Sequence, residues 1–165
     1  MPALRPNRYF KRITSIDIKR DIIACGYTHI LLDIDNTILT RDTHVIPDDV
    51  ALWLDNARNV GLTICLLSNN WHHGVYELAE RLDLPLVAKA VKPLPFAYIA
   101  AIRKLGSKRK TTLAIGDQLI TDVWGAHFVG ICAYMLDPLV EKDLWHTLLL
   151  RHLQNAIMRN QKPES

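Results

Sequence analysis

Two aspartates one residue apart open the chemistry of this chain, in Asp33-Ile34-Asp35-Asn36-Thr37 at the end of an apolar run. Successive side chains of a strand point to opposite faces, so both carboxylates reach one site only if the chain leaves strand geometry at Ile34 or just after. A turn there lets one carboxylate attack an electrophile while the other, protonated, hydrogen-bonds the leaving group and later deprotonates a water. The ordinary alternative is a solvated turn after a strand, and it leaves the polar residues that follow as separate coincidences.

Those residues come in order. Ser68 closes a second apolar run in Leu66-Leu67-Ser68-Asn69-Asn70, where a hydroxyl and the following backbone N–H groups could hold a phosphoryl oxygen or simply cap a helix. Lys92 stands before Pro93 in an apolar stretch and could neutralise charge on a transferring group, with Lys89 as the competing candidate. Gly116-Asp117 ends a further run, and Asp122 lies one helical turn beyond Gln118. Candidate substrate contacts are Thr37, Ser68, Asn69 and Lys92. Four carboxylates in one crevice repel one another, so Asp33, Asp35, Asp117 and Asp122 call for a divalent cation, and oxygen-only ligation favours Mg2+. The adjacent His72 and His73 lack zinc-site spacing and read as loop or helix-start residues, whereas His44 could overhang the site.

Such residues converge only if the elements bearing them end on one edge of a sheet. Short apolar runs alternate with helix-period segments, the pattern of βα units around a parallel sheet. Strands are expected at 29–35, 62–68, 84–89, 111–117 and 131–137, several of them apolar almost throughout, as strands covered on both faces are. Val50, Trp53, Leu54 and Ala57 recur at helical spacing, as do Val75, Leu78, Ala79 and Leu82. Another helix starts near Pro95 and stops at Gly106, and a fourth spans 119–128. Short and long helices are expected at 15–24 and 141–159. The fold class is therefore α/β: a Rossmann-like three-layer sandwich with a central, mostly parallel five-stranded sheet and no sizeable cap domain. One domain is expected over 1–165, with a basic N-terminal segment and short helix (1–28), a catalytic core (29–137) and a C-terminal helix (138–160).

At 165 residues, with 49% hydrophobic and 22% charged residues, the composition is that of a globular protein. The net charge of +3 is a mild excess compatible with anionic partners. Arg5, Arg8, Lys11 and Arg12 precede the first acidic residue, Asp17, and are interleaved with Tyr9, Phe10 and Ile13, as an interfacial segment would be. Lys104, Lys108, Arg109 and Lys110 form a second basic stretch. Cys25, Cys65 and Cys132 are far apart and read as buried free thiols. With no signal-peptide core and no membrane-spanning run, a cytoplasmic location is expected, with peripheral contact at the inner face of an anionic membrane and no nucleic-acid partner.

The set of motifs resembles the haloacid dehalogenase (HAD) superfamily, whose phosphatases carry DxDxT, a Ser or Thr, a Lys and a GDxxxxD signature in that order. The resemblance covers roughly 29–137 and implies Asp33 as nucleophile, Asp35 as acid/base, Ser68 and Lys92 as phosphate contacts, Asp117 as metal ligand and Asp122 as support for the metal shell or Lys92. Dehalogenases of that superfamily lack the second aspartate, so Asp35 points to phosphoryl transfer. The short intervals from Asp35 to Ser68 and from Ser68 to Lys92 leave no room for a cap, and an uncapped site admits a bulky ester. More narrowly, Leu4-Arg-Pro-Asn7, Ser15-Ile-Asp17, Lys92-Pro-Leu-Pro-Phe96 and Gly116-Asp-Gln-Leu-Ile-Thr-Asp122 resemble the YqeG group of class IIIA phosphatases, related to phosphatidylglycerophosphate phosphatases.

The expected function is a magnesium-dependent phosphomonoesterase working through an aspartyl-phosphate, with phosphatidylglycerophosphate as substrate. The alternatives are a phosphatase of a soluble sugar phosphate or nucleotide, and a non-catalytic binding module on the same scaffold. The module is disfavoured because a retired site has no physical need for several repelling charges in one crevice.

Overall fold

The computed structural model describes residues 4–40, 45–139, 157–158 and 161–164. Among these residues six strands form one sheet: β1 (Arg8–Phe10), β2 (His29–Leu32), β3 (Thr63–Leu67), β4 (Leu86–Val87), β5 (Thr112–Gly116) and β6 (Cys132–Leu136). All run parallel, in the order β1-β6-β5-β2-β3-β4. Among the described residues the helices between these strands are α1 (Asp48–Asn59), α2 (His73–Leu82), α3 (Pro95–Leu105) and α4 (Gly125–Phe128). Wide helical turns at Ile18–Ile23 and Leu119–Trp124 carry i→i+5 bonds at their ends, such as Val123 N to Gln118 O at 3.3 Å.

Strand alternation sorts the apolar residues between two cores. Ile30, Leu32, Ile64, Leu66, Leu113 and Ile115 face one side, while Leu31, Cys65, Leu67 and Ala114 face the other. Val50, Trp53, Leu54 and Ala57 of α1 and Val75, Leu78 and Ala79 of α2 cover the first side. Ala97, Tyr98 and Ala101 of α3, with Val123 and Ala126, cover the second, giving three layers. The helical stripes expected from spacing in α1 and α2 are these buried faces. Pro95 sits in the first turn of α3, and Gly106 ends it at φ 60°, a left-handed conformation that glycine adopts without strain.

The strand missing from the sequence reading is β1, which takes up the basic N-terminal segment. Three residues led by an arginine carry no periodic signal, yet Phe10 and Ile13 are fully buried and Phe10 pairs with Leu136 of β6. These two side chains lie in the core, so the expected interfacial role falls away for them. Glu164 forms an isolated parallel bridge with Phe10 of β1: Lys11 N donates to Glu164 O at 3.2 Å, and Glu164 N to Tyr9 O at 2.7 Å. Cys65 is buried as expected, but Cys132 is half-buried and Cys25 exposed; all three are free. Most of the expected C-terminal helix, and His44, lie outside the described residues.

Arg8 also enters an ionic cluster that ties β1 to the first helical turn. Its Nη1 donates to Oδ1 of buried Asp21 at 2.7 Å, and its guanidinium lies 4.5 Å from the Phe10 ring centre and pairs with Glu164. Asp21 also accepts from Arg20 Nε at 2.8 Å and Asp17 N at 2.9 Å. Hydrogen bonds from Arg20 and Arg8 outweigh the burial of the Asp21 carboxyl and hold it well below the usual carboxylate range. A depressed folded-state value stabilises the fold above the unfolded value and is lost as pH falls through the folded one. Asp21→Asn should therefore destabilise at neutral pH by about 1–3 kcal/mol, with the gap to wild type closing below about pH 4, as denaturant unfolding across pH would measure.

Candidate active site

The register places the candidate residues on one edge. Leu32 pairs with Leu66 on one side and Ile115 on the other, so Asp33, Ser68 and Asp117 emerge where these strands end. β2 has β3 beside it in the outgoing direction of the chain and β5 beside it after the return, which makes its carboxyl end the topological switch point. The chain leaves strand geometry as the paired aspartates require: β2 stops at Leu32, Asp33 N still donates to Ile115 O at 2.9 Å, and Thr37, Ile38 and Leu39 all donate to Ile34 O. Asn36 has φ 62° at the turn.

Lys92 connects the strands electrostatically. Its Nζ donates to Asp33 Oδ1 at 2.5 Å and to Asp122 Oδ1 at 2.6 Å, and all three side chains are buried. Burial alone would lower the ammonium, but Asp122 and Asp33 outweigh it and hold Lys92 well above the ordinary lysine value. Burial raises the Asp122 carboxyl above the ordinary aspartate value, against the pull of Lys92. Lys89, the competing lysine, is exposed, with its Nζ 5.8 Å from the Trp71 ring centre.

Carboxylate oxygens of Asp33, Asp117 and Asp122 lie within 4.8 Å of one another, all three residues buried. With Lys92 charged beside them, negative charge remains in excess, and an oxygen-only set of this kind fits a hard divalent cation. Asp35, counted with this set from the sequence, lies outside it. Half-buried, its carboxylate accepts from Asn70 Nδ2 at 2.7 Å.

The remaining candidates frame the site. Thr37 Oγ1 donates to Asp33 Oδ2 at 3.1 Å. Ser68 is fully buried and its Oγ accepts from Asn70 N at 3.1 Å. Asn69 clamps the backbone of Lys92, accepting from its N at 2.7 Å and donating to its O at 3.4 Å. His72 precedes α2 and His73 opens it, paired with Glu77 at 3.0 Å, so both hold the helix-start positions expected of them.

Asn70 and Tyr98 escaped the sequence reading, and Gly116 was read there only as the end of a run. Asn70 orients Asp35 and was visible only as a second Asn after Ser68. Tyr98 donates from its hydroxyl to Thr121 O, bracing the turn that holds Asp122. Gly116 lies under Asp122: a Cβ there would stand 2.4 Å from Asp122 Cγ. Gln118 N holds the same carboxylate through Oδ2 at 3.0 Å.

A model of the haloacid dehalogenase-like hydrolase family matches residues 8–130. The probable phosphatase YqeG of Bacillus subtilis (strain 168) is 30% identical over 129 residues, which cover 78% of this chain and 75% of that protein. Among solved structures, an uncharacterized protein from Listeria monocytogenes serotype 4b superposes with a TM-score of 0.57 at 16% identity, covering 71% of this chain and 84% of the other. The cobalt-bound deoxy-D-mannose-octulosonate 8-phosphate phosphatase from Haemophilus influenzae superposes with a TM-score of 0.55 at 10% identity, covering 82% and 90%. At these identities the two structures share the fold.

The contact under Asp122 is a test of the site's architecture. Gly116→Ala should push Asp122 off Lys92 and lower kcat by about 10²-fold, the scale of an ångström-sized misplacement, while far-UV circular dichroism stays that of wild type. Unchanged kcat would show that the Lys92–Asp122 pair does not depend on this close approach.

Proposed function

The chain belongs to the haloacid dehalogenase-like hydrolase family and is a phosphatase of that kind, and from that premise we propose a phosphomonoesterase that works through an aspartyl-phosphate on Asp33. The observation that carries the reading is the Lys92 ammonium, buried 2.5 Å from Asp33 inside a cluster of three carboxylates at adjacent strand ends. Such an arrangement supplies a nucleophile, a cation for the phosphoryl charge and a metal-binding set in one crevice.

Asp33 attacks phosphorus in line with the departing oxygen, forming the Asp33 O–P bond as the ester P–O bond breaks. Asp35 gives its proton to the leaving oxygen, then takes one from the water that attacks the phospho-aspartate, so that inorganic phosphate departs and Asp33 is regenerated. The partly open setting of Asp35 suits this exchange, and Asn70 fixes its orientation. Lys92 offsets charge on the transferring oxygens, Ser68 and Thr37 contribute hydroxyls, and Asn69 holds the Lys92 backbone in place. Asp33 and Asp117, with Asp122 beside them, would hold Mg2+, which supplies further neutralisation of the phosphoryl group when bound. Asp122 anchors Lys92, and Asp35 stands outside the metal set.

The proposed substrate is phosphatidylglycerophosphate, hydrolysed to phosphatidylglycerol. Two things support it: the motif resemblance to the YqeG group, and the short intervals from Asp35 to Ser68 and from Ser68 to Lys92, which leave no room for a cap over a bulky ester.

Phosphate release from phosphatidylglycerophosphate in mixed micelles, against a panel of soluble phosphomonoesters, tests both levels. The lipid should be preferred, and chelation of Mg2+ should abolish turnover until the ion is restored. Asp33→Asn should remove activity to background, and Lys92→Gln should cost about 10²–10³ in kcat. Turnover of soluble esters alone would retain the mechanism and discard the lipid.

A further inference from the structure

Among the exposed apolar side chains, four lie on the two segments that build the site, three in loops and Phe96 in the first turn of α3. Phe96 is 74% exposed, Trp71 and Val91 61%, and Leu94 is exposed as well. Trp71 follows Ser68-Asn69-Asn70, and the other three bracket Lys92. The loops are fastened together: Lys89 N donates to Asn70 O at 3.3 Å, Asn69 makes its two bonds to the Lys92 backbone, and Lys89 Nζ lies 5.8 Å from the Trp71 ring centre. Collar and catalytic lysine thus share one backbone.

That backbone is strained where the collar is made. Val91 has φ 49°, a left-handed value that a β-branched residue adopts only under constraint. Its outcome is a sharp segregation, with Ala90 and Lys92 buried on either side of an exposed Val91. The Val91 side chain, turned into water, adds no apolar burial to either core. The segregation makes sense if the exposed side meets something apolar.

We propose that the collar of Trp71, Val91, Leu94 and Phe96, with Lys89, docks the catalytic mouth onto a bilayer containing anionic lipids. The inference rests on the phosphomonoesterase reading and specifies where its substrate comes from. Tryptophan beside lysine is an interfacial pairing: the indole sits at headgroup depth, while the lysine lays its stem on apolar groups and its ammonium among phosphates. A collar around Lys92 and Asp33 meets the ester at the boundary between its charged head and its chains. Phe10 and Ile13 cannot provide that contact, because both are in the core.

Full-length protein sedimented with phosphatidylcholine vesicles, with and without phosphatidylglycerol, tests the surface, and p-nitrophenyl phosphate hydrolysis reads the catalytic machinery separately. Wild type should bind the anionic vesicles, and W71A/F96A should bind them about tenfold or more weakly while hydrolysing p-nitrophenyl phosphate at the wild-type rate. Lys89→Gln should erase the preference for phosphatidylglycerol, and Leu52→Ala, an exposed position on α1, should change nothing. Absence of vesicle binding by wild type, or equal binding by W71A/F96A, would overturn the proposal. So would a wild-type dimer that becomes monomeric in W71A/F96A by light scattering, which would assign the collar to a second copy of the chain. Vesicle binding that needs the collar, in a protein that cleaves neither ester, would uphold the docking surface and remove the phosphatase reading instead.

Discussion

The structure depends on one buried ammonium. Lys92 lies between Asp33 and Asp122, with Asp117 close by, and the cost of burying these charges is met only because they are buried together. Removing any one leaves the others uncompensated in a poorly solvated crevice. The pairing also fixes geometry, since Asp33 ends β2, Asp122 rides on the turn after β5, and Lys92 arrives from beyond β4. Three separate crossovers are brought to one point by a single side chain.

The sheet makes that point available. In a fully parallel sheet every strand delivers its carboxyl end to the same edge, and the switch in strand order beside β2 opens a crevice there. Helices on both faces bury the apolar strands, so polar residues at the strand ends need not compromise either core. The wide turn at Leu119–Trp124 adds a local adjustment: it brings Asp122 back over Gly116, close enough that no other residue fits beneath it. Such widened turns recur where function demands a side chain that regular helix would misplace.

Much of this was legible in the residues alone. Continuous apolar runs announced β2, β3, β5 and β6, helical spacing announced α1 and α2, and polar residues at the run ends announced the site. What was not legible follows from physics that spacing does not encode. β1 is three residues long and opens with an arginine whose charge is matched by Asp21 and Glu164, one of them distant in sequence, so a sheet strand read as a basic interfacial segment. Lys89 and Lys92 were indistinguishable as types; backbone angles, with Val91 at φ 49°, decide which is buried. Tyr98 and Gly116 act through packing on Asp122, a relation visible only in three dimensions.

The departure of Asp35 from the carboxylate cluster bears most directly on the proposed chemistry. Two aspartates one residue apart both read as metal ligands, yet the structure gives them unlike surroundings. Asp33 is buried and accepts hydrogen bonds from Lys92 and Thr37. Asp35 receives the neutral amide of Asn70 and keeps contact with solvent. A nucleophile must stay ionised and held in line, whereas an acid/base must exchange protons with water and with the leaving group. The same residue type is thus assigned two proposed roles by its surroundings, and the division does not require a cap to exclude water from Asp35, since water is its second substrate.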